Sequence, residues 1–344
     1  MVAVVLAVVL LLAGTAVVGR VVAGEGRAST PPTASATTAS PGSVAPVRPS
    51  PVVATIATDG FSYSMAAGAG ALWVAGSDQV SRVDPATNSV AATIPMAATG
   101  AGPAGVAVGT GAVWVPVAVP GALWGIDPAT DKVTSKIPLD GPLSRSISVT
   151  AAGDTVWVAC CGQSGSGVST SSGRLLRVDT RRKRVVADIA LTGSPVAIAA
   201  DASAVWVATA GGQVLMVSPR RNRVTATINA GGPLAFDRSI AVGAGGVWLA
   251  DPFDEQVVRI DPKTRRVTAR IPAGAVTTLA VTGDTVWALS SLGLVRVEPT
   301  EDRVAAIDPS PELRRARLIA ADAKAVWTAG WSSVSRIDPD LVGP

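Results

Sequence analysis

Seven tryptophans recur along the chain, at Trp73, Trp114, Trp157, Trp206, Trp248, Trp287 and Trp327, with spacings of 41, 43, 49, 42, 39 and 40 residues. A self-similar period near 40 residues means that each unit is one supersecondary module, able to bury its faces only against its neighbours. The units share one pattern. A strand of small residues such as Ser239-Ile240-Ala241-Val242 leads through a Gly/Ala turn into an all-apolar strand, Val247-Trp248-Leu249. After a variable loop come Val257-Val258-Arg259-Ile260, an Asp261-Pro262 turn, and Val267-Thr268-Ala269-Arg270-Ile271. These four segments are strands A to D. The Trp strand is apolar at consecutive positions, as in a sheet covered on both faces. Pro presets the backbone angle of the turn, and Asp bonds the main chain just beyond it. Seven such units predict an all-β fold, a seven-bladed β-propeller of four-stranded antiparallel blades.

Closure has its own signature. Val52-Val53-Ala54-Thr55-Ile56 reads as a strand D with no strands A to C before it, whereas the seventh turn, Asp338-Pro339, has no strand D before Pro344. The N-terminal strand Val52–Ile56 is therefore expected to complete the last blade, which removes the exposed edge of an open ring.

The turn and strand D carry a further likeness. Asp84-Pro85-Ala86-Thr87 with Val90-Ala91-Ala92-Thr93-Ile94, Asp127-Pro128-Ala129-Thr130 and Asp261-Pro262-Lys263-Thr264 resemble the YVTN-type β-propeller repeat family, over about residues 52–344. Strand B departs from that pattern, with Trp in place of Tyr and no Asn. The architecture is similar to that of virginiamycin B lyase-like propellers, which implies the fold. Lyase activity in that group depends on a histidine, and this chain contains none, so the activity is not implied.

The ends differ from the repeats. Residues 1–19 carry no charged side chain, so 1–23 reads as a signal peptide or an N-terminal transmembrane anchor, with Val21-Val22-Ala23 a candidate cleavage site. Residues 24–51, rich in Ala, Ser, Thr and Pro, read as a semi-extended linker, and 52–344 as the propeller. An extracytoplasmic protein follows, membrane-anchored or secreted. Arg outnumbers Lys 24 to 5, which suggests a high-GC bacterial source.

The chemistry is marked by absences. Without histidine, Ser-His-Asp and Cys-His nucleophile systems and His metal sites are excluded, as is the commonest general base. No spacing suggests a metal site, a phosphate-binding loop or a cofactor. Cys160-Cys161 is a candidate vicinal disulfide in an oxidising compartment, directly before a long loop from Gly162 to Gly173. Arg82, Arg177, Arg259, Arg296 and Arg336 each precede the turn acid or its substitute by two residues. Residues so spaced share a strand face, so Arg259 is expected to reach Asp261.

In a propeller the B–C and D–A loops share one rim, the A–B and C–D turns the other. All six aromatics outside the repeat Trps map to the first: Phe61, Tyr63, Trp124, Phe236, Phe253 and Trp331. The same rim holds Asp251, Asp254, Glu255, Asp237 and Arg238, with Arg314, Arg315 and Arg317. Aromatics and Arg at a rim suit recognition. This face is the candidate binding surface for an unknown protein, small molecule or glycan. The opposite rim is basic over three blades: Arg181, Arg182, Lys183 and Arg184; Arg220, Arg221 and Arg223; Lys263, Arg265 and Arg266. It is a candidate contact for anionic membrane headgroups, at about 1 kcal/mol per basic residue near the surface. Nucleic acid is not expected as a partner, and a monomer is expected. The leading expectation is a non-enzymatic binding or scaffold module. The alternative is an enzyme, a lyase or hydrolase using Asp251, Asp254 and Glu255 at the mouth of the central channel, or a redox protein using the Cys pair.

Overall fold

The computed structural model describes residues 49–343 except 59, 97–102, 140–142, 144–146, 165–166 and 233–238, with only the backbone at 147 and 161–172. Seven four-stranded antiparallel sheets follow the expected order. The last is built from Val52–Ala57, Ser333–Ile337, Val326–Ala329 and Leu318–Ala321 in that spatial order, so the N-terminal strand closes the ring.

Each Trp strand is buried on both faces, as in Ala71–Ala75 and Val205–Thr209. The outer strand D alternates between exposed and half-buried residues, as in Arg266–Pro272. Seven hydrophobic clusters hold the blades together, and each repeat Trp packs toward the next blade: Trp206 with Val247 and Ile260, Trp248 with Val286 and Val297, Trp327 with Leu72 and Val74. The core is thus a set of inter-blade seams rather than one interior.

Across each B–C pair the Trp faces a fixed register partner. That partner is Arg82, Arg177, Arg259, Arg296 or Arg336 in five blades, but Gly125 in blade 2 and Met216 in blade 4. Arg177, Arg259 and Arg336 lie over their own Trp rings at 5.5, 5.2 and 5.8 Å, within cation–π range. Arg259 does not reach Asp261. Its Nη1 donates to Pro299 O and Asp302 Oδ1, both at 2.7 Å, in the C–D turn of the next blade. Arg177 bonds Pro219 O and Asn222 Oδ1, and Arg336 bonds Pro85 O and Asn88 Oδ1. Arg82 Nε lies 2.8 Å from Asp131 Oδ1, and Arg296 reaches Val342 O. The reason is local: the Asp261 carboxylate turns back into its own loop, accepting from Lys263 N at 2.7 Å, and the long guanidinium side chain crosses the seam instead.

In four C–D turns the acceptor residue sits at the left-handed position, where Asn88, Asp131, Asn222 and Asp302 have φ of 50°, 56°, 48° and 49°; Asn and Asp tolerate that conformation best. The same position in blades 3 and 5 is held by Lys183 and Arg265, opposite Gly125 and Met216 of the preceding blades. Where the Arg is missing, its acceptor is missing as well.

The turn acids also define an acid response. The Ala129 N–H, then the Thr130 hydroxyl, hold Asp127 below its ordinary 3.8; the Arg182 N–H does so first for Asp179, and the Lys263 N–H first for Asp261. Groups depressed in the folded state stabilise fully above the unfolded value and lose that contribution as pH falls through the folded one. The triple variant Asp127→Asn/Asp179→Asn/Asp261→Asn is expected to lose Tm less steeply than the native chain between about pH 4 and pH 2, read by circular dichroism. Parallel curves would remove these carboxylates from the acid response.

Candidate functional site: the channel mouth and its aromatic flank

The D–A and B–C loops pair along one rim. Met96 N donates to Asp78 O, Leu139 N to Gly121 O, Ala230 N to Gly212 O and Ala273 N to Glu255 O. At this rim the inner strands of all seven blades open onto a cavity of about 310 Å³, from Ser64 and Met65 in blade 1 to Leu318 and Ile319 in blade 7. Three serines at its wall tie neighbouring inner strands together. Ser64 Oγ accepts from Val106 N and Ser148 Oγ from Ile198 N, both at 3.2 Å, and Ser239 Oγ donates to Leu279 O at 3.1 Å. These hydroxyls, with Thr278, were not singled out by sequence. The signal was there in the repeat, as a Ser at or beside the start of strand A in blades 1, 3 and 5.

Beside the mouth the structure gathers three of the candidate aromatics. The D–A connection into blade 1 runs along the B–C turn of blade 7, with Thr58 N donating to Ser332 O and Ser62 N to Trp331 O. Phe61 and Trp331 meet edge to face, with centroids 5.2 Å apart and planes at 81°. The Arg317 guanidinium covers Trp331 at 4.0 Å. Phe61, Trp331 and Tyr63 remain 52%, 53% and 55% exposed, and Tyr63 also lines the cavity. The preceding connection folds as the short helix Pro311–Arg315, anchored by buried Leu313, with Arg314 and Arg315 outward.

The other candidates lie elsewhere. Trp124 is buried in the blade 1–blade 2 cluster beneath Lys136 Nζ, 3.8 Å from its ring centroid. Phe253 is exposed on the B–C turn of blade 5. Phe236, Asp237 and Arg238 lie outside the described residues. Asp251 is buried at the end of Gly246–Asp251 and accepts from Gln256 Nε2 at 3.2 Å and Asp254 N at 3.3 Å. Asp254 and Glu255 belong to the same turn, and none of the three lines the channel mouth. The expected loop after Cys161 is instead an extension of the B–C hairpin, Thr155–Ser164 with Gly167–Asp179. Cys160 is buried in the seam between blades 2 and 3; the Cys161 side chain, and with it the vicinal disulfide, lies outside the described residues. Among the described residues no group of three or more Cys, Asp or Glu is placed to hold a metal ion, and no helix is long and apolar enough to cross a membrane.

On the opposite rim all ten basic residues, Arg181 to Arg184, Arg220, Arg221, Arg223, Lys263, Arg265 and Arg266, are exposed. Ion pairs tie Arg181 to Asp154 and Arg182 to Asp179. Pro51 O accepts from Asp338 N on this side, where the closing strand begins.

The molecule is a seven-bladed β-propeller whose seven inner strands frame a small cavity at one rim. No family model matches the chain, and no curated protein matches it in sequence. Solved structures share the fold. Kuenenia stuttgartiensis hydrazine synthase matches at 14% identity with a TM-score of 0.64, over 83% of this chain and 97% of that one. A chain of a mitotic checkpoint complex matches at 10% identity with a TM-score of 0.69, over 83% of this chain and 94% of that one.

Proposed function

We propose that this chain is a non-enzymatic binding or scaffold propeller that engages its partner or ligand through the B–C/D–A rim. The observation that carries this is the Phe61–Trp331–Arg317 stack, exposed beside Tyr63 and the channel mouth. Large aromatics and Arg grouped on a surface are the residue types that dominate interface energetics. The enzyme alternative lacks comparable support, since its best acids are engaged within a blade 5 turn away from the channel. Fold alone does not choose, because an enzyme and a checkpoint assembly both contain this architecture.

The proposal includes export, supported by the uncharged apolar segment at residues 1–19, with the ring anchored or released. The exposed basic turns and the start of the closing strand share one rim, which supports an orientation with that rim toward anionic headgroups and the aromatic rim away from them.

The test compares the native full-length chain with Phe61→Ala/Trp331→Ala as bait for capture from the envelope and medium of the producing cell. Both side chains are half exposed, so the fold should be retained with stability changes of about 0.5 kcal/mol. The expected result is a binder held by the native chain and lost at least about tenfold by the variant, or about 1.4 kcal/mol. Equal capture by both chains, or turnover of a small substrate with no binder, would overturn the proposal.

A further inference from the structure

We infer that the cavity at the channel mouth is a subsite for an uncharged, polyhydroxylated ligand, one sugar ring of a neutral glycan; the inference rests on the reading of this rim as the binding face. Its first support is charge. Among the described residues no Asp, Glu, Lys or Arg lines the cavity, although Arg residues stand on the loops around it. An ionic group entering would lose hydration without gaining a counter-ion from these residues, so the described wall favours neutral groups.

The second support is the state of the hydroxyls. Ser64 and Ser148 use their oxygens to accept from main-chain N–H groups of the next blade, which leaves each hydroxyl proton to be donated. Ser239 commits its proton to Leu279 O, which leaves its oxygen to accept. The three stand on blades 1, 3 and 5 and are held by main-chain bonds, so donor and acceptor capacity is distributed around the wall before a ligand arrives. Thr278 and Tyr63, two further hydroxyl-bearing residues, also line the cavity. A sugar matches this arrangement because each of its hydroxyls can both donate and accept, whereas a peptide amide has one fixed donor and one fixed acceptor.

The third support is shape. Small-molecule sites occupy about 300–1,000 Å³, and a cavity of about 310 Å³ suits one ring rather than an extended chain. Tyr63 lines the cavity yet stays half exposed, offering an aromatic face to the apolar C–H side of a sugar. The Phe61–Trp331 pair continues aromatic surface along the rim, where further units of a glycan would run.

The experiment titrates the full-length protein with the methyl glycosides of glucose, galactose and mannose and with maltotetraose and cellotetraose. Glucuronate and glucosamine serve as charged counterparts, and binding is read by calorimetry and saturation-transfer NMR. At least one neutral saccharide is expected to bind saturably, its charged counterpart at least about tenfold more weakly. Tyr63→Ala and Ser239→Ala are each expected to weaken binding about three- to tenfold. Tyr63 is exposed, so its variant carries the test even if Ser239→Ala, which loses a bond between blades, does not fold. Absence of saturation by every neutral saccharide to about 20 mM, well above a millimolar Kd, would overturn the inference. So would equal binding of the charged sugars, or native affinity in Tyr63→Ala. If saccharides fail while Phe61→Ala/Trp331→Ala still loses a captured protein, the rim remains the binding face and only the sugar subsite falls.

Discussion

A chain lacking residues 1–57 is expected to lose the ring, not merely one strand. Among the described strands Val52–Ala57 pairs only with Ser333–Ile337, from Val52 opposite Ile337 to Ala57 opposite Ser333. Ile56 is also part of the cluster that joins Trp327 of blade 7 to Leu72 and Val74 of blade 1. Losing one buried Ile costs about 2–5 kcal/mol. The ladder hydrogen bonds go with it, and Ser333–Ile337 becomes an open edge able to pair with other chains. Set against a total stability of about 5–15 kcal/mol, this is enough to depopulate the native state. The truncated chain should melt more than about 10 °C below the native one at equal concentration and should aggregate on heating. A synthetic peptide of residues 50–58, added in excess, should raise the melting temperature in a concentration-dependent way, because it supplies the missing strand. A truncated chain with native Tm, indifferent to the peptide, would show that closure contributes nothing.

Trp248→Ala is the second large effect, about 3–5 kcal/mol by denaturant unfolding. Trp248 is fully buried, packs on Val286 and Val297 of blade 6, and donates to Gly243 O at 3.0 Å. Arg259→Ala should cost about 2 kcal/mol, since it removes a charge-assisted bond to Asp302. The two side chains touch, so the double variant should fall short of the sum by about 0.5–3 kcal/mol. Strict additivity would mean that the stacked ring does not position the guanidinium. Trp206, whose register partner is Met216, provides the comparison within the same molecule.

The period, the strands and the closing segment were legible because each is a local pattern: apolar runs, an Asp-Pro turn, and a strand D standing alone at Val52–Ile56. What crosses between blades was not. Spacing placed Arg259 and Asp261 on one strand face, but only the packed ring shows that the carboxylate folds into its own turn and that the guanidinium passes to Pro299 and Asp302. Trp124 had the composition of a rim aromatic, yet it lies in the middle of Ala122–Asp127, where the neighbouring blade covers it. The Gly- and Ser-rich stretch after Cys161 hid a hairpin, because its pairing comes from the main chain and not from an apolar pattern. At the site, Phe61, Tyr63 and Trp331 were readable as exposed aromatics. Their gathering beside the cavity follows from closure, which brings the first blade against the last.

The seams described above have a consequence for how such a chain varies. Five seams carry an Arg on one blade, and in four of them an Asp or Asn waits on the next; the seams after blades 2 and 4 have Gly125 opposite Lys183 and Met216 opposite Arg265. Either half alone would leave an Arg without its side-chain acceptor, or a carboxylate or carboxamide without its donor. The two halves lie in different repeats, 45 residues apart for Arg177 and Asn222, 43 for Arg259 and Asp302 and 248 for Arg336 and Asn88 at the closure, and still change together. The sequence unit of this ring is therefore the joint rather than the blade. A graft or duplication that respects repeat boundaries would cut through every such pair, whereas one that begins at a Trp strand and ends after the C–D turn of the next blade would carry the pairs of Arg82, Arg177 and Arg259 across intact.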